Sequence, residues 1–217
     1  MNPIRDAVLK NIRTSLNRQE LQTETIQKLK ERLAHHVIYE QPSWKEDLVT
    51  KFFAQLEKVG GTREIISNLA DLPFAVLDFL QHQNLPTKKI VIDAHFHHIP
   101  WPQKLQVTCQ AAQADDITSI SYAFAGVAET GSVVFLSSPQ SPTTLNFLPE
   151  NHIVVLDKDD LAPHIEDVWK KLRSGPMPRT INFITGPSRT ADIEQTIQKG
   201  AHGPRRLHVI LLKSRNS

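Results

Sequence analysis

Four short runs are apolar and β-branched almost without interruption: residues 89–93 (KIVID), 132–137 (SVVFLS), 153–157 (IVVLD) and 207–212 (LHVILL). A strand with one wet face alternates apolar and polar residues, whereas a strand that reads continuously apolar has to be covered on both faces. Stretches of helical character separate these runs. The alternation predicts an α/β fold built on a mostly parallel sheet, in which ligands bind at loops beyond the carboxyl ends of the strands.

The chain before this region is helical. Residues 3–16 place Ile4, Val8, Ile12 and Leu16 on one helical face, and residues 20–37 continue with Leu21, Ile26, Leu29 and Leu33 amid charge. Gln41-Pro42-Ser43 breaks the pattern. Residues 44–59 resume it through Trp44, Leu48, Phe52, Leu56 and Val59; Ser43, with Glu46 three residues on, reads as a capping box, and Gly60-Gly61 ends the helix. Residues 1–59 are expected to pack on the core as a helical layer rather than to serve as a docking arm, because amphipathic helices ordinarily bury their apolar face. Residues 60–217 form the α/β domain, with further strands at 62–66, 107–109, 117–125 and 181–185 and helices at 69–83, 161–172 and 191–199. The Ser-, Thr- and Pro-rich segment 137–149 (SSPQSPTTLNFLP) suits a lid.

Composition excludes several classes of function. With 217 residues, 40% of them hydrophobic and 22% charged, the chain can bury a sizeable core and is not of disordered composition. A formal charge of +2 makes no electrostatic case for nucleic acid. Cys109 is the only cysteine, so a disulfide framework, an iron–sulfur cluster or a thiolate zinc site cannot be built from this chain alone, and a reducing cytoplasm is the expected compartment. Arg5, Asp6, Lys10 and Arg13 occupy the first residues without an apolar run, which predicts no secretory signal, and the apolar runs are too short to span a bilayer. The sequence holds no Walker loop, GxGxxG, Ser–His–Asp order or CxxC.

Three stretches could carry chemistry. In residues 185–190 (TGPSRT) the hydroxyls, Arg189 and the amides of a helix expected to follow would suit an anion; alternatively they cap a helix whose dipole Asp192 and Glu194 already meet. In residues 126–132 (GVAETGS), Glu129 stands between hydroxyls and glycines before a strand, either as a nucleophile, base or orienting group, or in a plain tight turn. Asp93, His95 and His97 would share one face of an extended backbone and could ligate a metal, although histidines following a strand are commonly just surface groups. His152, His202 and His208 lie singly near these loops as candidate acid–base groups.

Taken together, GVAETGS (126–132), FLPENHIVVL (147–156) and ITGPSRTADIEQTIQKGAHGPRRLHVILL (184–212) resemble the lactate utilization protein C family, also called the LUD domain. The resemblance implies a three-layer α/β/α Rossmann-like core similar to the ribose-phosphate isomerase and CoA-transferase superfamily. It also implies a part in the bacterial oxidation of L-lactate to pyruvate beside two iron–sulfur partner proteins, which would hold the redox centres this chain lacks. Residue by residue, it places a ligand pocket at Glu129, Thr130, Gly131, Ser132, His152, Thr185, Gly186, Ser188, Arg189, Thr190, Asp192, His202, Gly203 and Arg205. Glu129 is the candidate reactive carboxylate, by analogy with the glutamate that attacks CoA esters in that superfamily. No metal ligand set and no cofactor of its own are expected. The chain departs from the family in the lid, where members often carry an arginine and a serine and this sequence has Thr143, Thr144 and Asn146. An independent enzyme or binding protein for a phosphorylated sugar, CoA ester or folate-like anion is the alternative reading.

Overall fold

In the computed structural model the described residues are 3–18, 21–34, 40–191, 197–199 and 203–213. Contacts divide the chain into two compact units, Met1–Ser43 and Trp44–Ser217. The first holds helices α1 (Pro3–Ser15) and α2 (Thr23–Ala34), on which Ile4, Val8, Ile12, Ile26, Leu29 and Leu33 remain exposed.

The second unit opens with α3 (Leu48–Lys58), whose start differs from the expected capping box. Asp47 is the N-cap, its Oδ1 accepting from the amides of Val49 and Thr50 at 3.0 and 3.1 Å. A carboxylate that takes two of the helix's four orphan amides outcompetes a serine four residues upstream. The chain continues through β1 (Thr62–Ile66), α4 (Leu72–His82), β2 (Ile90–Ile92), β3 (Val107–Cys109), β4 (Thr118–Tyr122), β5 (Ala125–Val127) and β6 (Ser132–Leu136). It then runs through α5 (Thr144–Phe147), β7 (Asn151–Asp157), β8 (Leu161–Ala162), α6 (Ile165–Arg173), β9 (Ile181–Ile184), β10 (Arg189–Ala191), β11 (Ile197–Lys199) and β12 (Arg206–Leu212).

Six of these strands form the expected parallel sheet, in the order β1-β12-β7-β4-β2-β3. Its continuous apolar strands are explained by cover on both faces. On one side Ile153 and Val155 of β7 and Ile210 and Leu212 of β12 pack with Val76, Phe79 and Leu80 of α4 and with Phe96 and Ile99. On the other, Val154, Leu156, Val209 and Leu211 pack with Phe52, Phe53 and Leu56 of α3 and with Val133 and Phe135. Those last two belong to a second, four-stranded sheet, β8-β5-β6-β9, which shares this face with α3; its outer surface is closed by Val168 and Leu172 of α6.

One expected element is not seen among the described residues, which leave out 192–196. The helix expected over 191–199 is replaced at both its ends by an antiparallel pair, β10 with β11, in register Thr190 to Gln198 and Ala191 to Ile197. An antiparallel pair lets two short strands satisfy one another's amides outside either larger sheet. The expected strand, helix, strand unit is therefore not seen among the described residues, and β9 and β12 lie in different sheets.

Candidate functional site

The sequence-level site is partly assembled. Ser132 Oγ lies 2.6 Å from Thr185 Oγ1 and 2.7 Å from Thr130 Oγ1, so the GVAETGS and TGPSRT loops meet through a chain of hydroxyls. Gly131 (φ +70°) and Gly186 (φ +79°) take left-handed backbone beside α3; a Cβ on Gly131 would overlap the Leu56 backbone, and one on Gly186 would stand 2.9 Å from the Val59 carbonyl oxygen. The Ser188 amide donates to Pro204 O at 2.8 Å, Gly203 packs on Ser188, and the Arg189 guanidinium lies against Gly60. Thr190 is in β10, while Asp192 and His202 fall outside the described residues.

The remaining members lie elsewhere. Glu129 anchors the start of α6: Oε1 accepts from the Ile165 amide and Oε2 from His164 Nδ1, both at 2.9 Å, with Trp44 edge-on to the His164 ring. Arg205 turns to Glu150, its amide donating to Glu150 O at 2.7 Å. His152 is 1% exposed, with Nε2 2.5 Å from Ser121 Oγ; that hydroxyl in turn donates to Asn146 Oδ1 at 3.4 Å, an order that leaves Nδ1 a bare lone pair. Burial lowers its pKa to about 3. His208, stacked on Phe79 with Nδ1 2.8 Å from Thr62 Oγ1, is pushed down to about 4 by burial as well.

The direction of the strands decides what these positions mean. Pro204 and Arg205 precede β12, Glu150 precedes β7 and Gly60 precedes β1, so the joined loops stand at the amino ends of the parallel strands. Ligands in such sheets bind at the other edge, where neighbouring strands connect in opposite directions. Here that point falls between β2, which leads outward to β3, and β4, which borders β7.

A cavity of about 370 Å³ occupies that place. His95 follows β2, Tyr122, Ala123 and Phe124 end β4, Asp160 follows β7, Leu136 ends β6, Ser138 and Ser141 come from the next loop, and Lys171 rises from α6. The loop expected to act as a lid thus supplies two hydroxyls to the rim, and its next turn is anchored by Leu145 and Asn146, both buried. Along β6 four residues, about 13 Å of strand, separate Leu136 at the cavity from Ser132 in the hydroxyl chain.

Two hydrogen-bonded pairs, Asp93 with His95 and Asp160 with Lys171, set the polarity of the cavity. Asp93, wholly buried at the end of β2, accepts on one oxygen, Oδ1, both the His95 amide (3.0 Å) and His95 Nδ1 (2.5 Å), while its Oδ2 has no partner. The His95 ring is further held by stacking on Tyr122 at 5.4 Å. Lys171 Nζ donates to Asp160 Oδ1 at 2.5 Å and sits 4.7 Å from the centre of the Phe124 ring. Its pKa lies below the ordinary lysine value because burial outweighs the attraction of Asp157. The metal reading of Asp93, His95 and His97 does not fit, because residues 94–96 form a 3-10 turn, not a strand, and His97 Nδ1 bonds Ala94 O at 2.7 Å. Among the described residues no three His, Cys, Asp or Glu side chains converge as a metal would need. Sequence reasoning noticed His95 but missed Lys171, a lysine in a basic helix end with no distinguishing neighbour.

These features define a class: a parallel α/β domain with a cavity at its topological switch point, holding a carboxylate–histidine and a carboxylate–lysine pair. The family model of the LUD domain matches residues 89–212, and the chain belongs to the LUD domain family. It is similar to the lactate utilization protein C of Halalkalibacterium halodurans, 38% identical over 111 residues, 49% of this chain and 47% of that protein. The protein of the same name from Geobacillus thermodenitrificans is 30% identical over 145 residues, 64% of this chain and 58% of the relative. That from Anoxybacillus flavithermus is 36% identical over 89 residues, 41% and 40% respectively, so these matches span roughly two to three fifths of the relatives' length. A crystal structure of a DUF162 family protein from Deinococcus radiodurans shares the fold, with a TM-score of 0.58 over 79% of this chain and 100% of the other at 19% identity. Among the described residues no helix is long and apolar enough to cross a membrane.

Proposed function

We propose that this chain is a component of a bacterial lactate utilization system, working beside iron–sulfur partner proteins that carry electrons from L-lactate, and that it binds a small anionic ligand. The observation that carries the reading is membership of the LUD domain family together with relatives at 30–38% identity named lactate utilization protein C. The single cysteine agrees with it, since a subunit without thiolate ligands needs partners for electron transfer. Deleting the gene is expected to abolish growth on L-lactate while sparing growth on pyruvate, and the tagged chain is expected to co-purify with cluster-bearing proteins. Normal growth of the deletion strain on L-lactate refutes the proposal.

A further inference from the structure

We infer that the cavity between β2 and β4 binds a small 2-hydroxy monocarboxylate, its carboxylate held by Lys171, Ser138 and Ser141 and its hydroxyl donating to His95 Nε2. The site follows from the geometry alone; only the choice of L-lactate as first probe rests on the proposed function.

The lining supplies donors on one side. An ammonium has three N–H groups, and Lys171 gives one to Asp160. Ser138 Oγ accepts from the Ser141 amide at 2.9 Å and keeps its O–H, and Ser141 contributes a second hydroxyl. On the other side stands one acceptor. Because the buried Asp93 carboxylate accepts the Nδ1–H, Nε2 is the ring nitrogen left to meet a ligand, its direction fixed by the His95 amide's bond to the same carboxylate and by Tyr122. Asp93 is thus a positioning residue, as in dyads that prepare a histidine to share a substrate's proton.

Charge selects a monoanion. Asp160 on Lys171, with Asp157 also acting on it, leaves too little positive charge for a phosphate dianion, and no arginine lines the cavity. Size selects beyond three carbons. The volume of about 370 Å³ exceeds a lactate ion, and Ala123, Phe124 and Leu136 offer an apolar wall to an alkyl tail. Each added methylene that reaches this wall should tighten binding about fourfold.

Calorimetric titration of the whole chain tests this with L-lactate, L-2-hydroxybutyrate, pyruvate and inorganic phosphate. Expected are saturable binding of both hydroxy acids, the butyrate tighter, and no binding of phosphate. His95→Phe, which keeps the ring stack, should weaken L-lactate at least tenfold and pyruvate, which has no hydroxyl proton to give, far less. Asp93→Asn should move the His95 proton from Nδ1 to Nε2 in nitrogen-15 spectra and weaken L-lactate as well. Ser138→Ala with Ser141→Ala, near the surface and without risk to the core, should weaken both acids. No carboxylate binding, binding of phosphate alone, or unchanged affinity in the His95 and double-serine variants overturns the site. No binding by the unaltered chain with lactate growth still dependent on the gene refutes the site and not the system; binding with dispensable growth does the reverse.

Discussion

At the scale of single residues, two buried histidines set how this protein answers acid. His152 and His208 have folded pKa values of about 3 and about 4, below the ordinary 6.5, because burial penalises the imidazolium. The unfolded chain therefore takes up these protons first, and stability falls as pH drops below about 6.5 and continues to fall towards the folded values. Each contributes up to about 1.4 kcal/mol per pH unit in that window. Urea unfolding at pH 7, 6 and 5 should show the loss, and His152→Gln should reduce its slope by one proton's worth; an unchanged slope counters the assignment. His152 was legible in the sequence as a histidine near a strand but not as a buried one. Its burial comes from β4 and β7 lying side by side under Phe135 of the second sheet, a pairing that local pattern does not reveal.

At the scale of elements, α6 shows why a carboxylate between two glycines could be misread. Glu129 reaches across 36 residues of sequence to the Ile165 amide, doing for α6 what the N-cap His164 side chain does not. Glu129→Ala is expected to cost about 1–3 kcal/mol, the price of leaving part-buried partners unpaired. The same variant should leave hydroxy-acid affinity unchanged at the cavity, whose lining does not include Glu129; calorimetry and a denaturant midpoint check both halves, and lost affinity at normal stability would favour a chemical role for Glu129. The strands with uniform apolar texture, β2, β6, β7 and β12, were readable because cover on both faces writes itself into nearly every position. β5 and β8 were not, having only three and two residues, and neither was the β10–β11 pair, three residues each and joined only to one another. The hydroxyl contact between the loops at 130–132 and 185 was readable, while the cavity required the strand order.

At the scale of the whole molecule, the parallel-sheet core lies wholly within Trp44–Ser217, and α1 buries no residue. A chain of residues 44–217 should therefore still unfold in one cooperative transition, with less helical circular dichroism; loss of that transition would count against a self-contained core. β12 has another consequence, one of timing. It fills the slot between β1 and β7, pairing residue 62 with residue 208, so β1 has no neighbour in the sheet until β12 arrives. A strand that joins so late imposes a large loop-closure cost and slow folding. On the ribosome, most of the sheet must wait with an open, apolar gap until the residues up to 212 have emerged.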